Sequence, residues 1–99
     1  MAEQDPEIMA LWRALSRKAG LAPGAFVHDP TWLHGAPRRF CRLVRFQGSL
    51  GEGVVLKQVT HPKDEARFCA HIDAQEAAAT LGLMPKVLAR DDAAQAFLM

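Results

Sequence analysis

The chain has 99 residues, room for one domain built on one modest hydrophobic core. Hydrophobic residues make up 49% of it and charged residues 23%, a globular balance that excludes an intrinsically disordered chain. With 12 Lys and Arg against 11 Asp and Glu the formal net charge is +1, so composition asks for neither nucleic acid nor an anionic membrane as partner.

The first element is marked by Asp5-Pro6, a helix cap followed by a first-turn proline, and Ile8, Leu11, Trp12 and Leu15 then recur at helical spacing up to Gly20. The acidic start Ala2-Glu3-Gln4-Asp5 lacks the basic and apolar regions of a signal peptide. No apolar run approaches the roughly 20 residues of a membrane span. The default expectation is a cytoplasmic protein. After the breaker cluster Leu21-Ala22-Pro23-Gly24, residues 25–33 read as an irregular edge strand, because Asp29-Pro30 interrupts them and proline cannot donate to a ladder.

A turn over residues 34–39 leads into Phe40-Cys41-Arg42-Leu43-Val44-Arg45-Phe46, which alternates apolar and polar residues as a half-buried strand should. The glycines of Gln47-Gly48-Ser49-Leu50-Gly51-Glu52-Gly53 then predict a hairpin into Val54-Val55-Leu56-Lys57-Gln58-Val59. Thr60-His61-Pro62 ends the extended structure. Residues 63–81, with Phe68, Cys69 and Ile72 on one face, predict a second helix stopped by Gly82 as its C′ glycine. Residues 85–90 and 95–99 flank Asp91-Asp92 as a second hairpin. The expected fold is α+β: a five-stranded antiparallel sheet with one packed helix, plus an N-terminal helix.

Within that frame Lys57 stands out. An ammonium set in an apolar strand costs free energy unless it meets an anion, so it asks for a carboxylate, a phosphate or both. Taken alone, a strand lysine also reads as a side chain whose stem covers apolar surface while its head reaches water. His28, His34, His61 and His71 are scattered without ligand spacing. Cys41 and Cys69 read as buried free thiols, and Trp12 and Trp32 as core or interface area. Arg38, Arg39, Arg42 and Arg45 are the best candidates for an anion-binding surface, although alternation puts Arg42 and Arg45 on opposite faces.

The element order, the turn Leu33-x-Gly35, the Val-Leu-Lys strand and the run Leu81-Gly82-Leu83-Met84-Pro85-Lys86-Val87-Leu88 together resemble the N-terminal lobe of the aminoglycoside phosphotransferase and choline kinase family. The resemblance covers residues 25–99 and leaves residues 1–24 as a helical extension. It implies a kinase-like lobe that binds ATP and transfers its γ-phosphate to a hydroxyl of an aminoglycoside, choline or a similar small molecule. Lys57 then contacts the α- and β-phosphates, and an acid of the following helix pairs with it. Glu76 is favoured for its longer stem, with Asp73 the alternative, and Glu65 is left as a first-turn charge.

The turn at residues 34–39 corresponds to the flap over the phosphates, where Gly35 and Ala36 bring backbone N–H groups to phosphate oxygens. Pro37 departs from the family pattern and removes one donor, which Arg38 or Arg39 could replace by direct charge contact, the alternative being two solvated arginines beside an exposed turn. Met99 falls near the gatekeeper position, and Phe97 faces the core or the adenine pocket. The catalytic-loop aspartate, its downstream asparagine and the Mg ligands do not occur in the 99 residues and are expected in a C-terminal lobe, without which this lobe alone does not catalyse transfer. In that lobe's absence residues 97–99 and one sheet edge are expected to expose apolar surface. The alternative reading is a non-catalytic α+β interaction module or pseudokinase lobe.

Overall fold

The computed structural model describes residues 6–28, 41–61 and 63–99. The first helix, α1 (Pro6–Lys18), buries Ile8, Trp12 and Leu15 at the expected spacing, together with Ser16, whose hydroxyl donates to the Arg13 carbonyl. Its cap residue Asp5 lies outside the described residues. Both helices stop by the same device. In α2 (Glu65–Thr80), Leu83 N–H bonds back to the Ala78 carbonyl and Gly82 N–H to that of Ala79, with Gly82 at φ 73°. That left-handed residue is cheap only for glycine, so Gly82 ends the helix as the sequence implied. Leu21 and Gly20 repeat the pattern on Ser16 and Arg17 at the end of α1. At the start of α2 the Asp64 carboxylate accepts from Arg67 N–H at 3.0 Å, and Glu65 lies in the first turn.

Five strands follow the expected order: β1 (Phe26–His28), β2 (Cys41–Gly48), β3 (Gly53–Val59), β4 (Ala89–Asp91) and β5 (Ala96–Leu98). They form one antiparallel sheet in the order β1-β2-β3-β5-β4, with α2 in the connection from β3 to β4. The β2–β3 hairpin is longer than alternation alone predicted. Gly48 and Gly53 join the strands, and the turn shrinks to residues 49–52, closed by Gly48 N–H on the Glu52 carbonyl. The last hairpin is shorter and its turn shifted: β4 begins only at Ala89 and takes in Asp91, which pairs with Ala96, while Gln95, at φ 52°, leaves the ladder. Such a conformation costs about 1 kcal/mol for a residue with a Cβ. Two bonds to Val59 offset it: Gln95 Nε2 donates to the Val59 carbonyl at 3.0 Å, and Val59 N–H to the Gln95 carbonyl at 2.8 Å.

The helices cover opposite faces of the sheet. Ile8, Trp12 and Leu15 of α1 pack with Phe46, Val54, Leu56, Ala96 and Leu98, and the Trp12 ring stacks on Phe46 with centroids 4.0 Å apart. Phe68 and Ile72 of α2 pack on Phe97, flanked by Val59, Val87 and Met99. Phe97 and Leu98 are wholly buried, which corrects the expectation of exposed apolar surface there: α2 covers the first and α1 the second. Among the described residues the large exposed apolar side chains are Val27, on the edge strand β1 as expected of a sheet edge, and Leu50, Leu81, Leu83, Met84 and Leu88 in turns and connections. Among the described residues no helix is long and apolar enough to cross a membrane.

Candidate anion-binding face

Alternation along β3 decides what Lys57 meets. Val54, Leu56 and Gln58 are buried toward α1, which sends Val55, Lys57 and Val59 to the α2 side. Register then places Lys57 between Leu43 of β2 and Phe97 of β5, and Arg90 of β4 beyond Phe97. Leu43, Lys57, Phe97 and Arg90 therefore form one row across the sheet, with a cation on each side of a buried aromatic ring.

The two cations live differently. The Arg90 guanidinium donates to Asp73 at 2.7 Å, to Glu76 at 2.8 Å and to Asp92 at 2.7 Å. These bonds raise the Arg90 pKa further above its ordinary value, while Arg90 holds the Asp92 carboxyl below the usual carboxylate range. Cys69 sits beside this cluster, and partial desolvation together with the Asp92 carboxylate pushes its thiol up. Among the described residues the Lys57 side chain has no hydrogen bond or ion pair.

Helix geometry explains the division. At about 100° per residue, with Ile72 facing the sheet, Asp73 and Glu76 fall on one flank of α2 and Phe68 and Gln75 on the other. The acids' flank faces β4. β3 lies on the opposite side of β5, toward the flank of Gln75, whose side-chain amide donates to the Pro85 carbonyl at 3.2 Å. Glu76 shares a face with Cys69 and Ile72 as the sequence suggested, yet the structure brings it and Asp73 together with Arg90 and not with Lys57. Met99 continues β5 by two backbone bonds with Val55, each 2.9 Å, and packs in the α2 cluster. Gly35, Ala36 and Arg38 lie outside the described residues.

Sequence reasoning missed Arg90. The signal was present, since acids three residues apart on a helix share a flank and invite one cation between them. Arg45 was noted without its neighbour. It pairs with Val55 in the register that sets Leu43 against Lys57, so Arg45 and Lys57 lie on the same face as diagonal neighbours. Cys41 and Cys69 are free thiols and half-buried.

A groove of about 240 Å³ opens at the N-terminal end of α2, floored by Val59 and Phe68 and rimmed by His61, Arg67 and His71. Lys57 is not part of its lining, and the one acid there, Asp64, is engaged in capping the helix. Lys57 thus lies outside the groove, on the β2–β3 half of the same face. Among the described residues no three His, Cys, Asp or Glu side chains converge as a metal site. The chain matches no family model, no curated protein and no solved structure.

Proposed function

We propose that the protein is the ATP-binding lobe of a cytoplasmic small-molecule kinase, with Lys57 holding the α- and β-phosphates of the nucleotide. The observation that carries this reading is Lys57 itself. It is half-buried on the third strand of the sheet, on the side that carries α2, and no carboxylate among the described residues neutralises it. A partly desolvated ammonium in that position gains most from a multiply charged oxyanion. ATP supplies that anion and the phosphoryl group. The chain's own part is to fix the phosphates by charge and to present them from a rigid central strand, while the acceptor hydroxyl and Mg fall to a C-terminal lobe.

One observation favours a second reading, a non-catalytic interaction module or pseudokinase lobe. Asp73 and Glu76, the acids expected to orient Lys57, are held by Arg90. Calorimetric titration with ATP and Mg separates the two readings. For the nucleotide lobe, the wild type binds and Lys57→Ala binds at least about tenfold more weakly, the worth of one charge-assisted contact, with an unchanged melting temperature. Equal affinity in the variant removes Lys57 from the site. No binding by the wild type supports the interaction module.

A further inference from the structure

We propose that Arg45 is a second anion ligand beside Lys57, so that this face is built for the linked phosphates of a di- or triphosphate and not for a single anionic group. The proposal rests on the nucleotide reading for the identity of the ligand, but its geometry stands apart from that reading. Arg45 and Lys57 occupy diagonal positions on one face of the β2–β3 hairpin, with Cβ atoms about 7 Å apart by the usual spacing of such pairs. Two long side chains at that spacing can each take a different phosphate of one chain.

Among the described residues the side chain of Arg45, like that of Lys57, makes no hydrogen bond or ion pair, and both residues are half-buried. The surrounding acids are committed elsewhere. Asp73, Glu76 and Asp92 are bound to Arg90, and Glu7 lies 3.7 Å from Arg42 on the opposite face. Glu52, in the hairpin turn itself, folds over Gly48, which shares the opposite face with Phe46. Two like charges left unneutralised on one half-covered face repel each other until an anion of matching charge lies between them.

The backbone also accommodates Arg45. A Cβ on Gly53 would lie 2.8 Å from Arg45 Nη2 and 2.9 Å from Nε, so the guanidinium rests along the strand in space that only glycine leaves open. The register sets Gly53 on the turn side of Val55 and Lys57 on the other side, so the guanidinium swings back across Val55 to share an anion with Lys57, where its planar fork suits bidentate phosphate contact. The Gly53 contact also supplies a variant that moves the charge without deleting it. The three atoms nearest a methyl group at residue 53 all belong to the flexible end of Arg45, which it displaces from the side away from Lys57.

The test titrates ATP, AMP and inorganic tripolyphosphate into the wild type, Arg45→Gln, Arg45→Lys, Gly53→Ala and Lys57→Gln, with thermal melts alongside. The wild type should bind ATP and tripolyphosphate and bind AMP far more weakly. Arg45→Gln should weaken both polyphosphate ligands about tenfold, the loss of one charge-assisted contact. Arg45→Lys, which keeps the charge and loses the fork, should fall between, and Gly53→Ala, which closes the resting place on the side away from Lys57, should bind no more weakly than the wild type. Undiminished affinity in Arg45→Gln, with loss in Lys57→Gln, overturns the role of Arg45 and leaves the nucleotide reading standing. Arg45-dependent binding of tripolyphosphate without binding of ATP upholds the paired cations and overturns the nucleotide. If no probe binds the wild type, both fail.

Discussion

On the α1 side of the sheet, Trp12, Phe46, Leu56 and Leu98 close into a continuous apolar layer, and its buried Gln58 amide reaches Glu7 at 3.1 Å. On the other side, α2 covers β5 through Phe68 and Ile72 and leaves Arg45 and Lys57 on the β2–β3 half without counter-charges among the described residues. The contrast sharpens on that second face, where Arg90 and Lys57 flank the same phenylalanine, one with three carboxylates and the other with none. Two cations on the strands either side of one ring thus divide into an arginine that fastens α2 to β4 and a lysine that no carboxylate among the described residues neutralises.

Substitutions should grade along this division. Trp12→Ala empties the centre of the closed face and should cost about 3 to 5 kcal/mol in denaturant unfolding. A loss below about 1 kcal/mol would mean that α1 is only loosely applied to the sheet. Arg90→Gln should cost about 1 to 2 kcal/mol, a modest figure because the Arg90 side chain is 24% exposed and those of Asp73, Glu76 and Asp92 are 69%, 47% and 35% exposed. Asp64→Ala, which removes the cap of α2, should cost about 1 kcal/mol. Lys57→Ala should change stability least, within about 0.5 kcal/mol, since no partner is lost. A Lys57→Ala protein as destabilised as Arg90→Gln would erase the contrast.

Acid gives a second way to separate the two cations. Arg90 holds the Asp92 carboxyl below its ordinary range, so the folded state binds that proton less tightly than the unfolded chain does. The stabilisation is fully present above the ordinary carboxylate pKa of about 4 and is lost as pH falls through the lowered value. Unfolding free energies measured at neutral and acid pH should therefore fall less steeply in Arg90→Gln than in the wild type or Lys57→Ala. Parallel slopes in all three proteins would show that the Arg90 cluster does not hold the helix.

The elements were legible in the sequence because each follows from local rules. Pro6 and the Ile8, Trp12, Leu15 spacing define α1, Gly82 stops α2, and alternation marks β2 and β3. What the sequence did not yield was rotation. Whether an acid of α2 reaches Lys57 or Arg90 depends on which flank of the helix overhangs β3, and that is set by Ile72 and Phe68 packing on Phe97, a contact between distant parts of the chain. The pairing of Arg45 with Lys57 was hidden for a related reason. It requires the hairpin register, which depends on Gly48 and Gly53 joining the strands and leaving the turn at residues 49–52. The turn at residues 34–39, where Gly35, Ala36 and Arg38 were expected to meet phosphate, lies outside the described residues.

Mapping ATP onto the sheet tests the account most directly. In an amide NMR titration of the isotope-labelled protein with ATP and Mg, the account predicts shifts concentrated at residues 43–45 and 55–57, little change along α1, and loss of the pattern in Lys57→Ala. Shifts that spare β2 and β3, or that persist unchanged in Lys57→Ala, would contradict it.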